Sequence, residues 1–116
     1  MPRDAVILST AAVTIEPVLE AAALVTTELT VRTLFGRAVL QVVDSSGCAV
    51  LSIQNSARVT DGDEIGRLLP TAPSTPLPIW WTEAVVPWGP TGDVGARILA
   101  VLAGHLGATL VLEDVS

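Results

Sequence analysis

The residues able to do chemistry are few, and most stand alone. His105 is the sole histidine and Cys48 the sole cysteine. A catalytic base or a metal site needs partners within hydrogen-bond or ligand reach. No second His, Cys or carboxylate stands at helical ligand spacing from His105, which falls among Ile98, Val101 and Leu102 on the apolar side of a helical stretch. The helix dipole favours a histidine in a last turn without any catalytic task. Cys48 opens a strand, where a small buried hydrophobe suffices. Asp61-Gly62-Asp63-Glu64 suggests a calcium loop, but Ile65 takes the third ligand's place and Ala72 that of the bidentate Glu. Capping of a short helix accounts for these acids better.

Gly89, Gly92 and Gly95 lie where a strand gives way to a helix, as phosphate loops do. Their spacing fits neither the dinucleotide fingerprint nor a Walker A loop, and the chain has no lysine to reach a phosphate. Asp93 at the helix start would also repel an anion. A tight strand-to-helix connection is the expected role. No Gly-x-Ser-x-Gly elbow occurs. The sequence therefore assigns no catalytic residue, no metal ligand and no cofactor.

The tryptophans are a different matter. Trp80, Trp81 and Trp88 are the only three, and Pro78, Pro87 and Pro90 flank them. Neighbours on a strand point to opposite faces, so one of Trp80 and Trp81 enters the core and the other faces outward. An outward indole is strong contact area. The competing reading puts the second indole beneath a helix or under a proline loop. Trp80, Trp81, Trp88 and Pro87 are the expected partner-binding residues. A Trp-lined small-molecule pocket near the 87–95 turn is the alternative.

Composition sets the frame for these residues. The chain has 116 residues, half of them hydrophobic and 16% charged, with a mean hydropathy of +0.60. Such a chain can bury enough apolar surface to fold, and its length suits a single domain over 1–116. A lone cysteine excludes an internal disulfide. Net charge is −6, and all six basic residues are arginines. An acidic chain with scattered arginines repels phosphate backbones, so no nucleic-acid partner is expected. The longest uncharged apolar run near the end, Ile98–Leu112, is too short for a membrane span. The first residues imitate a signal peptide, but Asp4, Glu16, Pro17 and Glu20 spoil the pattern, and a cytoplasmic location is expected. The Ala, Val, Leu and Arg bias is that of a GC-rich genome.

The elements that must position the tryptophans follow from periodicity. Ala5–Ser9 reads as a buried strand. Thr14 offers an N-cap to a helix from Ile15 to about Leu29, with Ile15, Val18, Ala22, Val25 and Leu29 at helical spacing. Arg37–Val43 and Cys48–Ile53 read as a hairpin joined by Asp44-Ser45-Ser46-Gly47. A short helix is expected over Glu64–Leu69, then a Pro-rich surface loop at 70–78. Ile79–Val86 is a strand, broken by Pro87-Trp88-Gly89-Pro90. Asp93 can cap a second long helix, Gly107 can end it, and Thr109–Leu112 is a last strand. The expected fold is α+β: a mixed sheet of about five strands, in the order βαββ, short helix, βαβ, with two long helices packed on it. Should both helices cover one face, the other needs a partner, and self-association as a dimer is expected on that ground.

Three stretches resemble an uncharacterised actinobacterial domain family whose genes often neighbour type VII secretion components. They are Ala38–Asp44 followed by Gly47, then Gly62–Leu69, then Ile79–Ala84 with its paired tryptophans. The resemblance implies an accessory role near a secretion apparatus and no particular activity. A non-enzymatic protein-interaction module is therefore the expected function.

Overall fold

The structure is a computed structural model and describes residues 3–26, 28–36, 38–60 and 79–113. The short helix expected over Glu64–Leu69, the loop at 70–78 and the acids Asp61–Glu64 lie outside the described residues. The fold is α+β. Its strands are β1 (Arg3–Ser9), β2 (Thr30–Leu34), β3 (Val39–Val43), β4 (Ala49–Gln54), β5 (Ala57–Val59), β6 (Ile79–Val86) and β7 (Thr109–Glu113). The helices are α1 (Ile15–Val25) and α2 (Pro90–Leu106). No helix among the described residues is long and apolar enough to cross a membrane.

The strands form one sheet in the order β2-β3-β4-β6-β1-β7, with β5 pairing β6. Every recorded pairing is antiparallel, which corrects the expected mixed sheet. The expected strand–helix–strand units at the two ends of the chain are both present, but neither joins neighbours. β6 and β7 are parallel to each other with β1 inserted between them, a split βαβ unit. β1 and β2 are also parallel, and β6, β4 and β3 separate them.

The sheet has seven strands against about five expected. β2 escapes the sequence because it is an edge strand with three exposed residues, too polar to read as core. β5 is only three residues long. From Ile53 to Ala57 one strand advances four residues while β6 retreats three, from Ala84 to Trp81. β4 and β5 are thus one strand interrupted by a bulge. The first helix stops at Val25 instead of Leu29, because Thr26 is already extended, with φ −161° and ψ 150°. Two β-branched threonines in succession disfavour a further turn. Leu29 still packs against the core, so its spacing reflects burial and not helix. The second helix starts at Pro90, with Gly89 at φ 89° as its N-cap, so Asp93 is a first-turn residue and not the cap. Thr14 is the N-cap of α1, but its hydroxyl makes no capping bond. The end of α2 is as expected. Gly107 is left-handed, Ala108 N–H donates to Ala103 O, and Gly107 N–H donates to Gly104 O, the Schellman pattern.

Both helices cover the same face. α1 buries Val18, Ala21 and Ala22, and α2 buries Ile98, Leu99 and Leu102. They meet Ala5 and Ile7 of β1, Val42 of β3, Leu51 and Ile53 of β4, and Ala84 and Val86 of β6 in one cluster. Burying each of these larger side chains contributes about 2 kcal/mol. Two glycines permit this contact. A Cβ on Gly95 would lie 1.9 Å from the carbonyl oxygen of Val50, and one on Gly92 1.5 Å from that of Pro87. Their role is close packing, as expected, and not phosphate binding.

The β3–β4 turn is built on one carboxylate. Asp44 Oδ1 accepts from Ser46 N–H at 3.0 Å, Ser46 Oγ at 2.7 Å and Cys48 N–H at 2.9 Å. Gly47, at φ 87°, donates to Asp44 O. These bonds, led by the Ser46 hydroxyl, hold the Asp44 carboxyl below its ordinary 3.8. A depressed carboxylate stabilises the fold above the unfolded value and loses that effect as pH falls through the folded one. Asp44→Ala should therefore lower the melting temperature at neutral pH, and the difference from wild type should shrink below pH 3.8. Gly95→Ala should cost about 2 kcal/mol or more in urea unfolding through overpacking. Gly104→Ala, with open space around the new methyl, should instead stabilise by about 0.5 kcal/mol.

Candidate functional site

β6 carries Trp80 and Trp81 on opposite faces, as the alternation expected. Trp80 is opposite Ser9 of β1 and Arg58 of β5. It shares the helix-side face with Thr82 and Ala84 and is half-buried. Beside it a polar chain ties the β1–α1 connection to the sheet. Val13 N–H donates to Ser56 Oγ at 2.9 Å, and Ser56 Oγ lies 2.7 Å from the fully buried Thr82 Oγ1. The β4–β5 bulge sets Ser56 directly opposite Thr82.

Trp81 is opposite Leu8 of β1 and Ala57 of β5 on the face away from α1 and α2, which is helix-free among the described residues. It packs against a second apolar cluster of Val6, Leu8 and Ile79, flanked by Val59 and Val111. Val6, Leu8 and Ile79 are buried, whereas Trp81, Val59, Val85 and Val111 stay half-exposed. Glu83 stands exposed on the same face, level with Val6. The other half of this face carries a polar row between Val43 and Val39. Arg32 donates through Nε and Nη2 to Gln41 Oε1, and Gln41 Nε2 donates to Ser52 Oγ at 3.3 Å. These three residues form a row across β2, β3 and β4 that the register continues through Val85 to Asp4.

Trp88 lies past the end of β6 and is 40% exposed. The Arg3 guanidinium sits 5.3 Å from its ring centroid and donates to Asp93 Oδ1 at 3.2 Å. Arg3 Nε is buried without a partner. The stack contributes about 1 kcal/mol, and the Asp93 bond adds little because that carboxylate is exposed. Pro87 is half-buried, with its carbonyl against Gly92. The structure therefore brings Pro87 and Trp88 together at one end of the sheet and separates Trp80, Trp81 and Trp88 onto three surfaces.

The residues singled out for chemistry stand differently from expectation. Cys48 is exposed, because it follows the turn glycine and precedes the first ladder residue of β4. His105 is exposed as well, because the buried stripe of α2 passes through Ile98, Leu102 and Ala103 instead. Among the described residues no three His, Cys, Asp or Glu side chains gather in a way that could hold a metal. A cavity of about 400 Å³ borders the 87–95 turn, lined by Pro90, Thr91, Val94, Arg97, Leu29 and Asp44 among others, none of them tryptophan.

Arg3 and the helix-free cluster escape sequence reasoning. Ala5–Ser9 is buried on both faces, so its alternation is invisible and Val6 and Leu8 cannot be assigned a side. The Arg3–Trp88 contact joins residues 85 positions apart with no local signal. No family model matches the chain, and no curated protein or solved structure is significantly similar to it. Among the described residues the chain is an α+β protein whose two helices lie on one face of the sheet. In a double-mutant cycle of urea unfolding, Arg3→Met and Trp88→Ala should couple by about 0.5–1 kcal/mol. Additivity of the two would show that the stack contributes nothing.

Proposed function

We propose that the chain is a non-enzymatic protein-interaction module that holds its partner on the helix-free face around Trp81. The observation that carries this reading is the half-exposed indole of Trp81, packed with Val59 and Val111 on a face that neither α1 nor α2 covers. Half-buried aromatic anchors ringed by aliphatic and polar residues are where binding energy concentrates. The Arg32–Gln41–Ser52 row beside it supplies neutral and cationic hydrogen-bond donors for a polar rim. Trp88 and Pro87 lie on a separate surface at the end of the sheet and stand outside this contact. The resemblance of three stretches to the actinobacterial family supplies the setting: a cytoplasmic accessory of a type VII secretion apparatus.

Co-purification from the native host tests the reading. Glu83→Arg reverses a charge beside Trp81 on an exposed position, and Ala100→Asp does comparable violence to the exposed side of α2. The wild type and Ala100→Asp should recover the same specific partner, while Glu83→Arg should lose at least tenfold with its melting temperature unchanged. Equal recovery by all three would overturn the proposal.

A further inference from the structure

The two edges of the sheet are unlike. β2 presents exposed Thr30, Arg32 and Thr33. Exposed charge and polarity are how natural edges avoid pairing. β7 runs Thr109-Leu110-Val111-Leu112-Glu113. Between Thr109 and Leu112 it has no charge, no proline and no bulge in its register with β1, and Leu112 is 37% exposed. Among the described residues nothing pairs with its outer side.

We infer that β7 is a self-pairing edge, and that two copies of this chain join there into one continuous antiparallel sheet. The sequence of β7 is self-complementary about Val111. With a two-fold axis through that residue, Leu110 of each copy meets Leu112 of the other, and both pairs lie on the helix-covered side. Val111 meets its own copy on the helix-free side. The ends of the ladder set position 113 of each copy opposite position 109 of the other. A register moved two residues toward the C-terminus would set position 113, an acid in the sequence, opposite itself, and like charges opposite one another on a sheet are destabilising. An axis perpendicular to the sheet leaves each face on its own side, so the contact is closed and stops at two copies. Pairing β7 with β2 instead would bring Arg32 toward the acidic edge but would repeat without closing. The inference uses the sheet edge alone and does not depend on the Trp81 face binding a partner.

Light scattering on the full chain tests it. The wild type should have twice the 12.0 kDa of one chain, Leu112→Lys should have one chain's mass, and Thr33→Lys on β2 should remain double. Each copy carries −6, so the dimer fraction should rise with salt as the repulsion is screened. A wild type of single-chain mass at its highest soluble concentration would overturn the inference. So would a dimer that survives Leu112→Lys, or one whose mass grows with concentration and falls with salt. Should Leu112→Lys fail to fold, crosslinking decides. In a Cys48→Ser background, a short bismaleimide should join two chains through Val111→Cys and not through Thr30→Cys. The reverse result refutes β7 pairing.

Discussion

Two carbonyl oxygens, those of Val50 and Pro87, lie so close to the first turns of α2 that no side chain fits between them and the helix. This contact fixes where α2 begins and how deeply it sits. Ile98, Leu99 and Leu102 then fall onto the centre of the sheet, and α1 is held against α2 at its flank. The same turns place Asp93 within reach of Arg3 and leave Trp88 lying on the guanidinium. Glycine is required here for lack of bulk, since interiors are packed too densely to yield to an inserted methyl. Gly92 and Gly95 are sequence features that look like a ligand loop and serve as a seat for a helix.

The sheet's two faces solve different problems. On one, helices and aliphatic strand residues make a single core. On the other, a small apolar cluster under Trp81 adjoins a hydrogen-bonded row led by Arg32 and Gln41. Leu8 and Val6 are hidden on the face away from α1 and α2. The indole of Trp81 packs against that cluster while keeping part of its own surface open. Trp80, equally half-buried, is set beside Ser9, Thr82 and Arg58 on the helix side.

Much of this was legible in the residue pattern. The long strand at Ile79–Val86, the hairpin about Asp44 and Gly47, both helix starts to within a few residues, and the Gly107 stop all follow from local signals. What escaped was set by distance along the chain. The partners of β1 lie at residues 79–86 and 109–113, so strand order and direction have no local trace. β2 and β5 were hidden because edge exposure and a bulge weaken the alternation that identifies a strand. The alternation of Trp80 and Trp81 across β6 was recognisable, whereas the exposure of Phe35 and Leu24, greater than that of any tryptophan, was not. That the three indoles part company onto separate surfaces depends on pairing the sequence does not spell out. Exposure of Cys48 and His105 was missed for a related reason, since their neighbours in sequence are apolar while their neighbours in space are water.

The central position of β1 also governs how the chain can be made. β1 pairs with β6, which follows it by about seventy residues, and its second neighbour, β7, comes later still. During that interval the segment Ala5–Leu8, apolar on both sides, has to be kept from sticking to other nascent chains. Folding of such a topology waits on its most distant contacts, because the closure of a long loop precedes any gain from pairing. The hairpin of β3 and β4 can form early, but the described sheet is completed only when β6 and β7 close around β1.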